Sequence, residues 1–197
     1  MDLLCVDKYL IGLTNSMFFI GVIISCLVIP PLADAYGRKV PFLVSIGITV
    51  LVYLALIFTT NLYVAYVMIF ILGLSFAGRM VVGVNYALEF FLAKAQNPAL
   101  LTFMLGLNIH KLIINCWFQF IDKSVVGMLA LYIVLATVLL LVLWWLVPES
   151  PKWLYVNFQF ERSRRNLLPV ARYNEVPQQQ IKNIKSLKYD LEVMKEM

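Results

Sequence analysis

Apolar residues run almost unbroken along most of this chain, and polar ones punctuate them at wide intervals. Five apolar stretches stand out, roughly Tyr9 to Leu32, Val40 to Thr60, Leu62 to Leu92, Leu100 to Phe120, and Val125 to Val147. Each reaches the ~20 residues a helix needs to cross a hydrocarbon core about 30 Å thick. No run alternates at period two, and the stretches are far longer than a membrane-barrel strand. The joints carry turn chemistry: Asp34 and Gly37, then Thr60-Asn61, then Asn97-Pro98 as an N-cap and first helical position, then Asp122-Lys123-Ser124. The pattern predicts an all-α polytopic membrane bundle of five transmembrane helices over residues 1–147. A helical tail follows over 148–197.

That tail is a change of regime, with 15 charged residues in its 50. Ser150-Pro151 reads as an N-cap and first helical position, and Pro169 as the end of that helix. From Gln178 onward, Ile181, Ile184, Leu187, Leu191 and Met194 recur at three- and four-residue steps, one apolar face of an amphipathic helix. Such a helix packs on a protein or membrane surface; a calmodulin-type target is the second reading.

Composition agrees. Apolar residues make up 62% of the chain and charged residues only 14%, with mean hydropathy +0.85. These values exclude a disordered chain and a nucleic-acid-binding domain. The net charge of +5 comes from an asymmetry between the two ends of the spans. Arg38, Lys39, Lys94 and nine residues of the tail put 12 of 16 basic residues on one side, against Lys8 and Lys123 on the other. Basic residues mark the cytoplasmic side, so the N-terminus is expected outside and the tail in the cytoplasm. Eight mixed residues precede a first span too long for a signal-peptide core, so it is expected to stay as an uncleaved anchor.

Polar residues inside the spans are the candidates for function. Ser75, Arg79, Tyr86 and Glu89 of the third span fall within about 80° of arc at 100° per residue. Asn108, Lys111, Asn115 and Gln119 of the fourth share a face of similar width. A charge near mid-membrane costs at least ~2.5 kcal/mol, so Arg79 and Lys111 should face a water-filled cavity or a partner. One reading is a polar pathway lined by both helices; the other is polar glue between packed helices. Spans two and five, almost purely apolar, suit the lipid-facing periphery. His110 points away from the polar row and reads as a hydrogen-bonded packing residue. Cys5, Cys26 and Cys116 form no disulfide or metal pattern, and no enzyme motif is present. No cofactor and no metal are expected.

Two segments resemble a known family. Pro30 to Lys39 (PPLADAYGRK) is similar to the cytoplasmic signature G-x-x-x-D-[RK]-x-G-R-[RK] of the major facilitator superfamily, with Asp34, Gly37, Arg38 and Lys39 matching and Pro30 and Ala35 departing. Pro148 to Leu154 (PESPKWL) resembles the P-E-S-P-R-W-L that follows the sixth helix of its sugar and organic-ion transporters. Asp2 to Asp7, the glycines Gly73, Gly78 and Gly83, and Glu89-Phe90 are similar to the organic-ion branch. The resemblance implies a partial major facilitator fold, helices two to six of twelve, without the first helix or the second half. It implies a cytoplasmic gating network of Asp34, Gly37, Arg38, Lys39, Glu89 and Glu149. It also implies a solute cavity, for which Arg79, Tyr86, Asn108, Lys111, Asn115 and Gln119 are the candidates. The family's usual arginine in its fourth helix would fall at Ile69, and Arg79 stands ten residues out of register.

The expected function is passage of a small organic solute, an organic ion and by its deep cations an anion, through a secondary carrier working by alternating access. The expected partners are the lipid bilayer, the solute, and a second half-transporter, a homodimer partner or a larger membrane complex. The alternative is a non-transporting structural subunit or remnant of such a carrier.

Overall fold

The computed structural model describes residues 8–91, 93–120 and 124–173. Five helices are long and apolar enough to cross a membrane. They are α1 (Lys8–Tyr36), α2 (Lys39–Phe58), a third span in three pieces, α5 (Ala93–Phe120) and α6 (Val125–Leu146). The third span comprises α3 (Leu62–Leu74), a π-helical turn (Gly78–Val82) and α4 (Gly83–Leu88). Two short helices follow, α7 (Pro151–Val156) and α8 (Phe160–Tyr173). The chain divides into two compact units, residues 1–147 and 148–197.

The helix ends follow their local chemistry. α1 runs past Leu32 and stops where Gly37 takes φ 104°, with its N–H on the Ala33 carbonyl at 3.1 Å. Glycine adopts this left-handed conformation without steric cost. Asn61 caps α3 by accepting from the Tyr63 N–H at 2.9 Å. Ser124 caps α6 in the same way from Val126, at 3.3 Å. One expected boundary is wrong. Asn97-Pro98 does not open the fourth span, because α5 already begins at Ala93 and carries Pro98 inside it. The Gln96 amide donates back to the Leu88 and Phe91 carbonyls, which anchors this early start.

Within the first unit, α1 and α3 approach most closely. A Cβ at Gly21 would collide with the Phe70 carbonyl, and one at Gly73 with that of Phe18. The contact lets Ser25 donate to the Leu74 carbonyl and accept from the Ala77 N–H, while Tyr66 donates to the Leu10 carbonyl at 2.8 Å. α2 lies across the third span: Gly78 sits on Ser45, Gly83 on the Phe42 ring, and the Thr49 and Ser75 hydroxyls are 3.1 Å apart. α2 is therefore not simply lipid-facing. Leu43, Ser45, Ile46, Thr49 and Val52 are buried. In hydrocarbon, apolarity does not mark an inward face, whereas small and hydroxyl residues do. α6 packs on α2, and only its Met128 is buried. The most apolar window of α5 has no buried residue.

In the second unit, Ser150 caps α7 by accepting from Trp153, and Pro151 takes the first turn. The helix expected to end at Pro169 is two helices. Phe158, at φ 58°, closes α7, with Phe158 N–H on Tyr155 O and Gln159 N–H on Leu154 O. This is a Schellman closure with a non-glycine residue in the left-handed slot. α8 then passes through position 169 to Tyr173. The Ser163 hydroxyl donates to the Pro151 carbonyl at 2.8 Å, and Asn166 to that of Glu149 at 3.0 Å. The amphipathic stretch from Ile181 to Met194 lies outside the described residues.

The α1–α3 contact predicts a sharp asymmetry among glycines. Gly21→Val should lower stability by about 3 kcal/mol, since backbone cannot give way. Gly106→Ala, which meets nothing within 4 Å, should leave stability unchanged or slightly raised. Thermal unfolding of the two variants in detergent would show it.

Candidate functional site

A charge cluster lies where α1 turns into α2. Asp34 occupies the last turn of α1, Gly37 reverses the chain, and Arg38 leads into α2. One Arg38 nitrogen lies 3.2 Å from Asp34 Oδ1 and the other 3.2 Å from Glu89 Oε1, just past the end of α4. Asp34 is 68% exposed, whereas the Glu89 side chain is 8% exposed and Arg38 22%. The Arg38–Glu89 pair is thus the costly one to break. A cavity of about 80 Å³, lined by Asp34, Arg38, Val82 and Asn85 among others, opens beside it. Lys39 donates to the Trp144 carbonyl at 3.1 Å, tying the start of α2 to the end of α6. Glu149 belongs to the second unit, where its carboxylate accepts from the Ser150 N–H at 3.1 Å.

The polar face of the third span turns toward α2. Ser75 meets Thr49. Arg79 lies beside the Tyr53 hydroxyl. Tyr86 is 3% exposed, with its ring 6.0 Å from that of Phe42 and 5.4 Å from that of Phe90. Glu89 meets Arg38. Between Arg79 and Tyr86 the helix passes through the π turn, whose wider winding breaks the uniform 100° step. The four residues still reach one neighbour.

The α5 row lies elsewhere. Asn108, Lys111, Asn115 and Gln119 are all exposed, and no described hydrogen bond joins them to Arg79 or Tyr86. Asn108 bonds only its own helix, at the Met104 carbonyl, 3.0 Å away. Among the described residues the two polar faces do not meet: that of the third span contacts α2, and that of α5 is exposed. His110 accordingly packs: its Nε2 is 2.9 Å from the Tyr132 hydroxyl, with the rings 5.4 Å apart.

Tyr53 and Tyr132 were missed in the sequence. Each is a lone phenol in an otherwise apolar span, and a buried phenol hydroxyl almost always seeks a partner. Their rings lie 6.2 Å apart, so Arg79, Tyr53, Tyr132 and His110 form one polar row across four spans. Arg79 carries a full charge within this row. Its Nε is buried without a hydrogen-bond partner among the described residues.

The Sugar (and other) transporter family model matches residues 5–195. The chain belongs to this family. It is an integral, multi-pass membrane protein of the major facilitator type, as the two signature segments implied. Mouse solute carrier family 22 member 4 is 26% identical over 179 residues, covering 89% of this chain and 32% of the relative. Human organic cation/carnitine transporter 2 is 27% identical over 182 residues, 89% of this chain and 31% of the relative. Rat solute carrier family 22 member 3 is 27% identical over 176 residues, 88% and 31%. The chain spans about a third of the length of the curated relatives it matches. In the transporter family's terms, the Asp34–Arg38–Glu89 cluster is the signature segment drawn together with the end of the third span.

The geometry ranks the cluster's bonds. Arg38→Gln should cost about 3 kcal/mol by stranding Glu89, and Asp34→Asn less than about 1 kcal/mol because that pair is exposed. A double-mutant cycle in detergent should give Arg38/Glu89 the larger coupling energy; equal couplings would contradict the ranking.

Proposed function

We propose that this chain forms part of a carrier for a small organic ion, and that the exposed α5 row lines the solute's path. One observation carries the reading. Asn108, Lys111, Asn115 and Gln119 lie exposed on one face of a membrane span. Four such groups do not face hydrocarbon stably; they face water or protein. A path completed by a second helix bundle, from another chain or another copy, gives them both. The relatives' names speak of organic cations and carnitine. Lys111 puts a fixed positive charge on the row and no described span residue beside it is acidic. The solute handled here accordingly carries an anionic group such as a carboxylate.

In this reading the Asp34–Arg38–Glu89 cluster, with Lys39, lies on the cytoplasmic side and latches one state of alternating access. The basic asymmetry of the joints and tail supports that orientation.

A second reading is a structural membrane subunit. α5 favours it, because Leu101, Leu105 and Leu112 are also exposed, and a helix so open on several sides suits a protein neighbour. Uptake separates the two. In proteoliposomes holding the native assembly, Lys111→Leu should reduce uptake of an organic anion at least about tenfold, the loss of one charged contact. Its assembly on native mass spectrometry should not change. Unchanged uptake, or no uptake with intact assembly in the parent chain, would favour the structural subunit.

A further inference from the structure

Arg79 is the eighteenth residue of a 27-residue span, about 13 Å inside its nearer end. Helical side chains lean toward their own N-terminus, so the guanidinium points away from Glu89 and toward Tyr53. Glu89 is in any case held by Arg38. Tyr53 lies beside Arg79 but brings no charge. Arginine does not lose its proton inside a protein. The four spans other than α1 contain no Asp or Glu, and the single acid in α1, Asp34, sits in its last turn, exposed and paired with Arg38. The positive charge of Arg79 is therefore left without a protein counter-charge among the described residues.

The surroundings select the compensating species. The guanidinium offers only donors, and its Nε is still unbonded. Tyr53 and Tyr132 add hydroxyls, their rings 6.2 Å apart, and the Tyr132 hydroxyl continues the row to His110 Nε2 at 2.9 Å. A donor-rich, carboxylate-free row repels metal cations and suits an anion. Arg79 is partly covered, with its Nε buried, on the side of the third span that meets α2, which favours a small anion. The widened π turn that carries Arg79 is a backbone form found often at functional positions.

We propose that Arg79 and the Tyr53 hydroxyl bind a small inorganic anion, of the chloride class, within the helix bundle. The ion neutralises the guanidinium and links the third span to α2. This site is separate from the α5 row and does not depend on whether the chain transports.

The test uses the full chain in detergent or nanodiscs, at constant ionic strength, with chloride replaced stepwise by gluconate. The melting temperature should rise saturably by about 3 °C or more in chloride. The chlorine NMR line should broaden with protein and narrow again on adding bromide. Arg79→Gln should abolish both effects. Tyr53→Phe should weaken the apparent affinity about tenfold, the worth of one hydrogen bond to a charged species. Lys152→Gln, at an exposed lysine of α7, should change neither. If Arg79→Gln fails to fold, the parent chain's NMR response and Tyr53→Phe decide the matter. A parent chain indifferent to chloride in both measurements overturns the proposal. So does a response that survives Tyr53→Phe at full strength, or one lost in Lys152→Gln.

Discussion

Inside a bilayer, apolar side chains gain nothing by leaving lipid for protein, so the cost of polar groups governs how these helices meet. Every polar group in a span must be closed by its own helix, by a neighbour, or by water. Most of the first unit follows from that rule. Ser25 closes on the third span, and Gly21 and Gly73 let the two backbones come near enough for it. Ser45 and Thr49 return hydrogen bonds to their own helix, and Thr49 also meets Ser75. The packing of α1, α2 and the third span is thus polar and close rather than oily and large.

The same rule sorts the charges. Asp34, Arg38 and Glu89 sit at one end of the spans, where partners and water are both near, and they close on one another. Arg79 is deeper and closes only in part, on a neutral phenol. Lys111, with Asn108, Asn115 and Gln119, faces outward from α5. The α1–α3 core holds shape, the corner cluster ties α1 and the start of α2 to the end of the third span, and the α5 row stays open.

Much of this was legible in the sequence because hydrocarbon demands long apolar runs. The five spans, the Ser150 cap, the turn at Gly37 and the joints at Thr60-Asn61 and before Val125 all follow from residue type alone. The inward face of α2 was not legible, since its Ser45 and Thr49 stand in a run that looks uniformly apolar. The start of α5 was misplaced because Asn97-Pro98 imitates a cap while Gln96 sets the real boundary. Faces could be drawn on a wheel for the third and fourth spans, but a wheel does not say which helix a face meets. Tyr53 took the place opposite Arg79 that the sequence had left open. The helix break at Phe158 was hidden because a non-glycine residue holds the left-handed slot.

The proposed carrier requires that the α5 row face an aqueous path. Single cysteines at Asn108, Lys111, Asn115 and Gln119 would test it, in a background with Cys5, Cys26 and Cys116 replaced by alanine, against controls at Ile109 and Ile113 on other faces of the helix. The measurement is the rate of labelling by a membrane-impermeant, charged thiol reagent in native membranes. A water-facing row labels at least about tenfold faster than the controls, because the reacting thiolate forms only where water reaches it. A row as unreactive as Ile109 and Ile113 would contradict it and leave α5 a purely structural helix.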